Sequence, residues 1–282
     1  MPDPLSLVAL GAAVGGAAGK LVEKAYDSGE RWLQNFFRDH QPKALEVATE
    51  NARDFLSSFA CRVRLLEEQN TVPKERIEDA QNWPESLVLI QKALLSAAQT
   101  NNQVKHQVLA ELVATKLERP PEDTLSLATQ RACETVASLT INQLNILGLQ
   151  ATALFNRPES KLDELAYHEW LVEALAPFLD VEIGHMDIPH LEALSCLQRQ
   201  TFLALDFTTA RKHLNGGDFD WIKFKECETG RKFSKLWDGR HGLASVKLTS
   251  IGYLIGQTII KICDGSPNRT EMISADGIET LG

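Results

Sequence analysis

Residues 43–69 read KALEVATENARDFLSSFACRVRLLEEQ. Leu45, Ala48, Ala52, Phe55, Phe59, Val63 and Leu66 recur at steps of three or four, with acids and bases between them. An α-helix turns once in about 3.6 residues, so this spacing places the apolar side chains on one stripe and predicts a long helix with one core-facing side. Such a helix is stable only when other apolar stripes cover it. Toward the N-terminus, Leu21, Val22, Ala25, Tyr26, Trp32, Leu33, Phe36 and Phe37 predict an amphipathic helix broken near Asp27-Ser28-Gly29 and stopped at Gln41-Pro42. Toward the C-terminus, Pro73 and Pro84 bracket a polar connection with a short helical turn at Lys74 to Ala80. Leu87, Ile90, Leu94, Val104, Val108, Leu112 and Leu117 then predict one helix, or two divided at Thr100-Asn101-Asn102. Residues 1–118 are expected to form an up-down helical bundle. Tandem prolines in ERPPED (118–123) remove helix donors and mark 119–123 as a linker.

The rest of the chain, 124–263, reads as a second helical domain. Thr124 to Leu139 and Thr140 to Phe155 predict helices, the latter with Thr140 as N-cap and Gly148 tolerated inside. Further helices are expected over Leu162 to Leu179 and Pro189 to Leu205, and Asn215-Gly216-Gly217-Asp218 is a strong turn signal. Asp238 to Gly242 resembles a hairpin loop, Ala244 to Leu248 alternates as a short strand does, and a last helix runs from Leu248 to Ile262. The expected fold class is mainly α, with a short β-hairpin of winged-helix-like order near the C-terminus. The polar residues 264–282 read as an exposed tail.

The chain has 282 residues, 44% hydrophobic and 24% charged, which is the composition of a soluble globular protein. Its net charge of −9 disfavours a nucleic-acid coat, since phosphate binding depends on basic surface. Acids dominate from Pro120 to Asp206, and bases from Thr209 to Lys247. Cys61, Cys133, Cys196, Cys227 and Cys263 are odd in number, widely spread and without a CxxC pair. They read as reduced, buried thiols in a cytoplasmic protein.

Leu5 to Gly19, LSLVALGAAVGGAAG, is an uncharged run almost at the start. In a helix, Gly11, Gly15 and Gly19 would make a nearly side-chain-free stripe that another helix can approach closely. Leu5, Leu7, Val8, Leu10 and Val14 add apolar bulk. The run is shorter than the roughly 20 residues that span a bilayer, lacks the basic n-region of a signal peptide, and does not fit the GxxxxGK[ST] phosphate loop. These eight residues are candidates for membrane contact or self-association, or for burial within the bundle.

Catalytic signatures are missing. His185 and His190 flank Asp187, but their spacing differs from HExxH, and His168 beside Glu164 and Glu169 is explained by pairing along a helix. Neither GxSxG, a Cys–His nucleophile pattern nor GxGxxG in its strand-turn-helix context occurs. The expectation is a non-enzyme without metal or cofactor. In DFDWIKFKECETGRKF (218–233) and the residues that follow, Trp221, Lys223, Lys225, Arg231, Lys232, Lys235 and Arg240 are candidates for partner binding, because aromatics interleaved with bases can stack and neutralise phosphates or dock at anionic surfaces. The competing reading is an amphipathic element with aromatics inward and lysines outward.

MPDPLSLVALGAAVGGAAGKLVEKAYDSGERWL (1–33) resembles the start of HeLo-type cell-death domains, in which an apolar glycine-containing helix begins a helical bundle. SLTINQLNILGLQATALF (138–155) and VKLTSIGYLIGQTIIKI (246–262) are similar in texture to bacterial abortive-infection proteins of the Abi-alpha kind. Together they imply a bacterial immunity or cell-death effector, cytoplasmic at rest and membrane-associated once activated. Its expected partners are further copies of itself, membrane lipid and an activating sensor protein. The alternative is a soluble helical scaffold or regulator that binds a protein or nucleic acid through its basic C-terminal module.

Overall fold

The computed structural model describes residues 16–80, 82–118, 124–200, 206–215, 219–239 and 242–264. They are mainly α-helical and fall into two compact units, dividing between Ser138 and Leu139.

The first unit contains α1 (Gly16–Phe36), α2 (Pro42–Glu68), α3 (Lys74–Ala80), α4 (Pro84–Ala98), α5 (Gln103–Glu118) and α6 (Thr124–Val136). The fold-deciding stretch is α2, and its stripe is the core: Phe55, Phe59, Ala60 and Val63 have no exposed surface. It packs against α1, α4 and α5. Both α2 and α4 begin with proline, which lacks the amide hydrogen that a first helical turn cannot use. At the end of α2, Asn70 adopts φ +53°, and the Thr71 amide donates back to the Leu66 carbonyl at 3.2 Å. The expected break at Asp27-Ser28-Gly29 is absent, because α1 runs through it. Gly29 is instead a packing position: a Cβ there would lie 2.7 Å from Leu94 Cδ1.

Polar side chains tie the unit together. Asn51 Nδ2 donates to the last carbonyl of α4, that of Ala98, at 3.1 Å. The fully buried His106 meets the Thr100 carbonyl through Nε2 at 2.8 Å. Arg62 lies between Glu111 (2.5 Å) and Glu118 (3.4 Å), bridging α2 to α5. α6 is fastened to α4 and α5 by Ser96 Oγ donating to the Cys133 carbonyl (3.1 Å), Lys105 Nζ donating to the Ala137 carbonyl (3.1 Å) and the Lys92–Glu134 ion pair. The sequence puts the domain boundary at 119–123; packing puts it after α6. Residues 119–123 lie outside the described residues, and α6, which follows them, buries Ala132, Cys133 and Val136 within the first unit.

The second unit contains α7 (Ile141–Phe155), α8 (Glu164–Leu175) continued by a 3-10 turn (Ala176–Phe178), α9 (Asp187–Ala193), β1 (Leu197–Arg199), α10 (Phe207–Asn215), α11 (Trp221–Phe224), α12 (Glu228–Asp238), a 3-10 turn (Leu243–Ser245), β2 (Val246–Leu248) and α13 (Ser250–Asp264). Its spine is α7 against α13. Thr140 caps α7 as expected, in a full capping box with Gln143. Gly148 lets α13 come close, since a Cβ there would lie 2.9 Å from Ile259 Cγ2.

The helix expected over Pro189 to Leu205 is instead short α9 followed by a strand. Ser195 takes φ +56°, and the Cys196 amide donates to the Leu191 carbonyl at 2.8 Å, which closes α9 and turns the chain into β1. The antiparallel β element near the C-terminus is present, with Leu197 opposite Leu248 and Arg199 opposite Val246. The partner of β2 thus comes from before α10. Within the turn that resembles a hairpin loop, Arg240 and His241 lie outside the described residues, as does nearly all of the expected tail, 265–282.

Candidate functional site

Of the N-terminal candidates, Leu5, Leu7, Val8, Leu10, Gly11, Val14 and Gly15 lie outside the described residues. Gly19 is buried in α1, beside Ala17, Ala18, Leu21 and Val22. The joint between run and bundle is Gly16. Its φ of +61° is a left-handed backbone that a right-handed helix cannot pass through, so α1 begins there. The Glu67 carboxylate lies across the joint, accepting from the Ala17 amide at 3.3 Å and the Ala18 amide at 3.2 Å. A carboxylate on free amides at a helix N-terminus is favoured by the partial positive charge there. Lys74 Nζ approaches the same carboxylate at 3.9 Å. A Cβ on Gly16 would lie 2.5 Å from Glu67 Oε1, so the clamp needs glycine twice over.

The basic aromatic stretch folds as two amphipathic helices rather than a strand. Phe207 of α10 collects Phe233 (4.8 Å between ring centres), Trp221 (5.0 Å), Trp237 (5.3 Å) and Phe219 (5.5 Å). Phe219, Phe224, Phe233 and Trp237 are buried, and Lys223, Arg231, Lys232 and Lys235 are exposed. Most of the cations have local work: Lys223 pairs with Glu164 at 2.9 Å, Lys232 pairs with Glu228 at 3.3 Å, and Lys225 lies over the Trp221 ring at 5.2 Å. Candidate Arg240 lies outside the described residues.

His168 is not paired along its helix with Glu164, which binds Lys223 instead. It packs edge-on against Phe219 and Phe224, with Nε2 buried and unpartnered among the described residues. Burial, and then the nearby Lys223 ammonium, hold its imidazolium below the ordinary range, against the opposing pull of Glu164 and Asp220. His190 is engaged by Gln143 (Nδ1 to Oε1, 3.1 Å), whose Nε2 donates to Asp187 at 3.0 Å; this is a strut between α7 and α9. Among the described residues no group of three His, Cys, Asp or Glu side chains is placed to hold a metal ion. The cysteines differ from the expectation of uniform burial: Cys133 and Cys196 are buried, the latter with its thiol pushed up to about 12, while Cys61 and Cys263 are exposed. Cys227 caps α12, its sulfur accepting from the Gly230 amide at 3.2 Å.

Sequence reasoning missed Arg211. It is fully buried on α10, and Nη1 donates to the carbonyls of Thr152, Ala153 and Asn156 at 3.0–3.1 Å, closing the C-terminal end of α7. Nε donates to the Tyr167 hydroxyl at 2.6 Å, and the guanidinium lies over the Tyr167 and Trp170 rings. A lone arginine in TTARKH carries no motif to find it by.

No helix among the described residues is long and apolar enough to cross a membrane. No curated protein and no solved structure matches the chain. Residues 19–213 match a protein-family model whose description reads only ":-like". The match begins at Gly19, the last residue of the apolar run, within α1, and ends within α10, before the basic aromatic segment. Since that region is more than half of the chain, the protein belongs to this uncharacterised family.

Proposed function

We propose that the protein is a switchable effector of the immunity or cell-death type, acting without enzymatic chemistry, in which a trigger frees the apolar run Leu5 to Gly15 for self-association or membrane contact. The observation that carries this reading is the joint at Gly16. An uncharged run meets a buried helix through one left-handed residue and one carboxylate clamp, Glu67. Ala17, Ala18 and Gly19 belong to the bundle core, so the movable segment ends before them, and α1 stays in place. The glycine stripe then narrows to Gly11 and Gly15. A trigger must bind the released state more tightly than the resting one, since equal affinity shifts nothing; a swing from 1:99 to 99:1 takes about 10⁴-fold preference.

The test compares the full chain, the chain lacking residues 1–15, and Gly15→Leu, by growth on induced expression in bacteria and by dye release from anionic vesicles. Growth arrest and release by the full chain, lost in both variants while their helical content is kept, is the expected result. Equal toxicity without residues 1–15, or a full chain that neither arrests growth nor releases dye, overturns the reading.

A further inference from the structure

Between α1, α2 and α4 the first unit leaves a cavity of about 220 Å³. Its wall is apolar where it is deepest, with Leu33, Ala52, Leu56 and Leu94, and Tyr26 and Arg53 also line it. An apolar cavity of about 150 Å³ already admits benzene, so this space accepts a ring or a short alkyl chain. The Arg53 guanidinium makes the cavity more than a packing defect. Arg53 is half-buried, and its Nε is buried without a hydrogen-bond partner among the described residues. The other charged group at the cavity, Glu30, is exposed at the rim and accepts from Gln34 Nε2 at 3.4 Å. A buried donor without an acceptor is costly, and a charged donor beside an apolar space is complemented by an anion attached to an apolar body.

We infer that this cavity binds a small amphiphilic carboxylate, its hydrocarbon part among Leu33, Leu56 and Leu94 and its carboxylate on Arg53. The inference does not depend on the release of the N-terminal run. Calorimetric titration of the full chain at neutral pH with octanoate, and in parallel with uncharged octanamide, tests it. Octanoate is expected to bind about tenfold or more tighter than octanamide, the return on one charge-assisted hydrogen bond. Arg53→Gln removes that preference and leaves octanamide binding unchanged, whereas Leu56→Trp fills the space and abolishes both. No measurable octanoate binding, equal affinity of the two probes, or binding that survives Leu56→Trp overturns the assignment. The octanoate-to-octanamide ratio of the unaltered chain decides the matter even where a variant fails to fold.

Discussion

Arg211 carries its charge into the core of the second unit, where the groups that receive it are dipoles: three carbonyls at the end of α7, the Tyr167 hydroxyl and two ring faces. Helix C-terminal carbonyls carry partial negative charge, so a cation there closes the helix without a carboxylate. Arg211→Met is expected to leave those acceptors buried and unpaired and to cost about 3 kcal/mol, read by urea unfolding; a loss under about 1 kcal/mol contradicts this account. His168 makes a pH prediction. Its folded-state value is depressed, so the unfolded chain takes the proton first. Stability from this group is therefore full above its ordinary value near 6.5 and is lost as pH falls from there through the folded value. His168→Phe, which keeps the ring packing, should flatten the stability profile between about pH 7 and pH 5. An unchanged slope would show that other groups set it. Arg211 was illegible in the sequence because its partners are backbone carbonyls, which no residue pattern announces. The inward Phe224, Phe233 and Trp237 with outward lysines were legible in the sequence as an amphipathic pattern.

Elements were most legible where a periodic stripe coincided with strong punctuation. Pro42 and Pro84 open helices, Thr140 caps α7, and Thr100-Asn101-Asn102 separates α4 from α5. They were least legible where the terminator was chemically unremarkable. Ser195 stops α9 in a left-handed turn that glycine or asparagine would have advertised, so Leu191, Leu194 and Leu197 read as one helical stripe instead. That residue bears strain a glycine would not. Ser195→Gly is expected to stabilise the protein by up to about 1 kcal/mol in thermal or urea unfolding, and destabilisation would show that the turn relies on the side chain. Gly29 misled in the opposite direction, reading as a breaker although its missing side chain only makes room for Leu94.

At the scale of the whole chain, the division after Ser138 rather than at the prolines makes a prediction about fragments. Residues 1–138 should unfold cooperatively by circular dichroism. Residues 1–123 lack the buried Ala132, Cys133 and Val136 and should lose at least about 2 kcal/mol relative to that fragment. Equal stability of the two would return the boundary to the ERPPED stretch. That boundary was hidden because a proline pair reports local backbone, whereas membership of a unit depends on which surfaces a later helix covers. The apolar run was visible in the sequence alone, and what the fold adds is the place where it is joined. The pairing of Leu197 with Leu248, and of α7 with α13, has its own consequence for the order of events during synthesis. Every helix of the first unit meets its partners within the first 138 residues, so that unit can close while the ribosome is still making the rest. The second cannot, because its spine waits for α13 and its loop-closure entropy falls due late. A stop codon before Ser250 would therefore release a finished bundle joined to a second unit that has no spine to fold on.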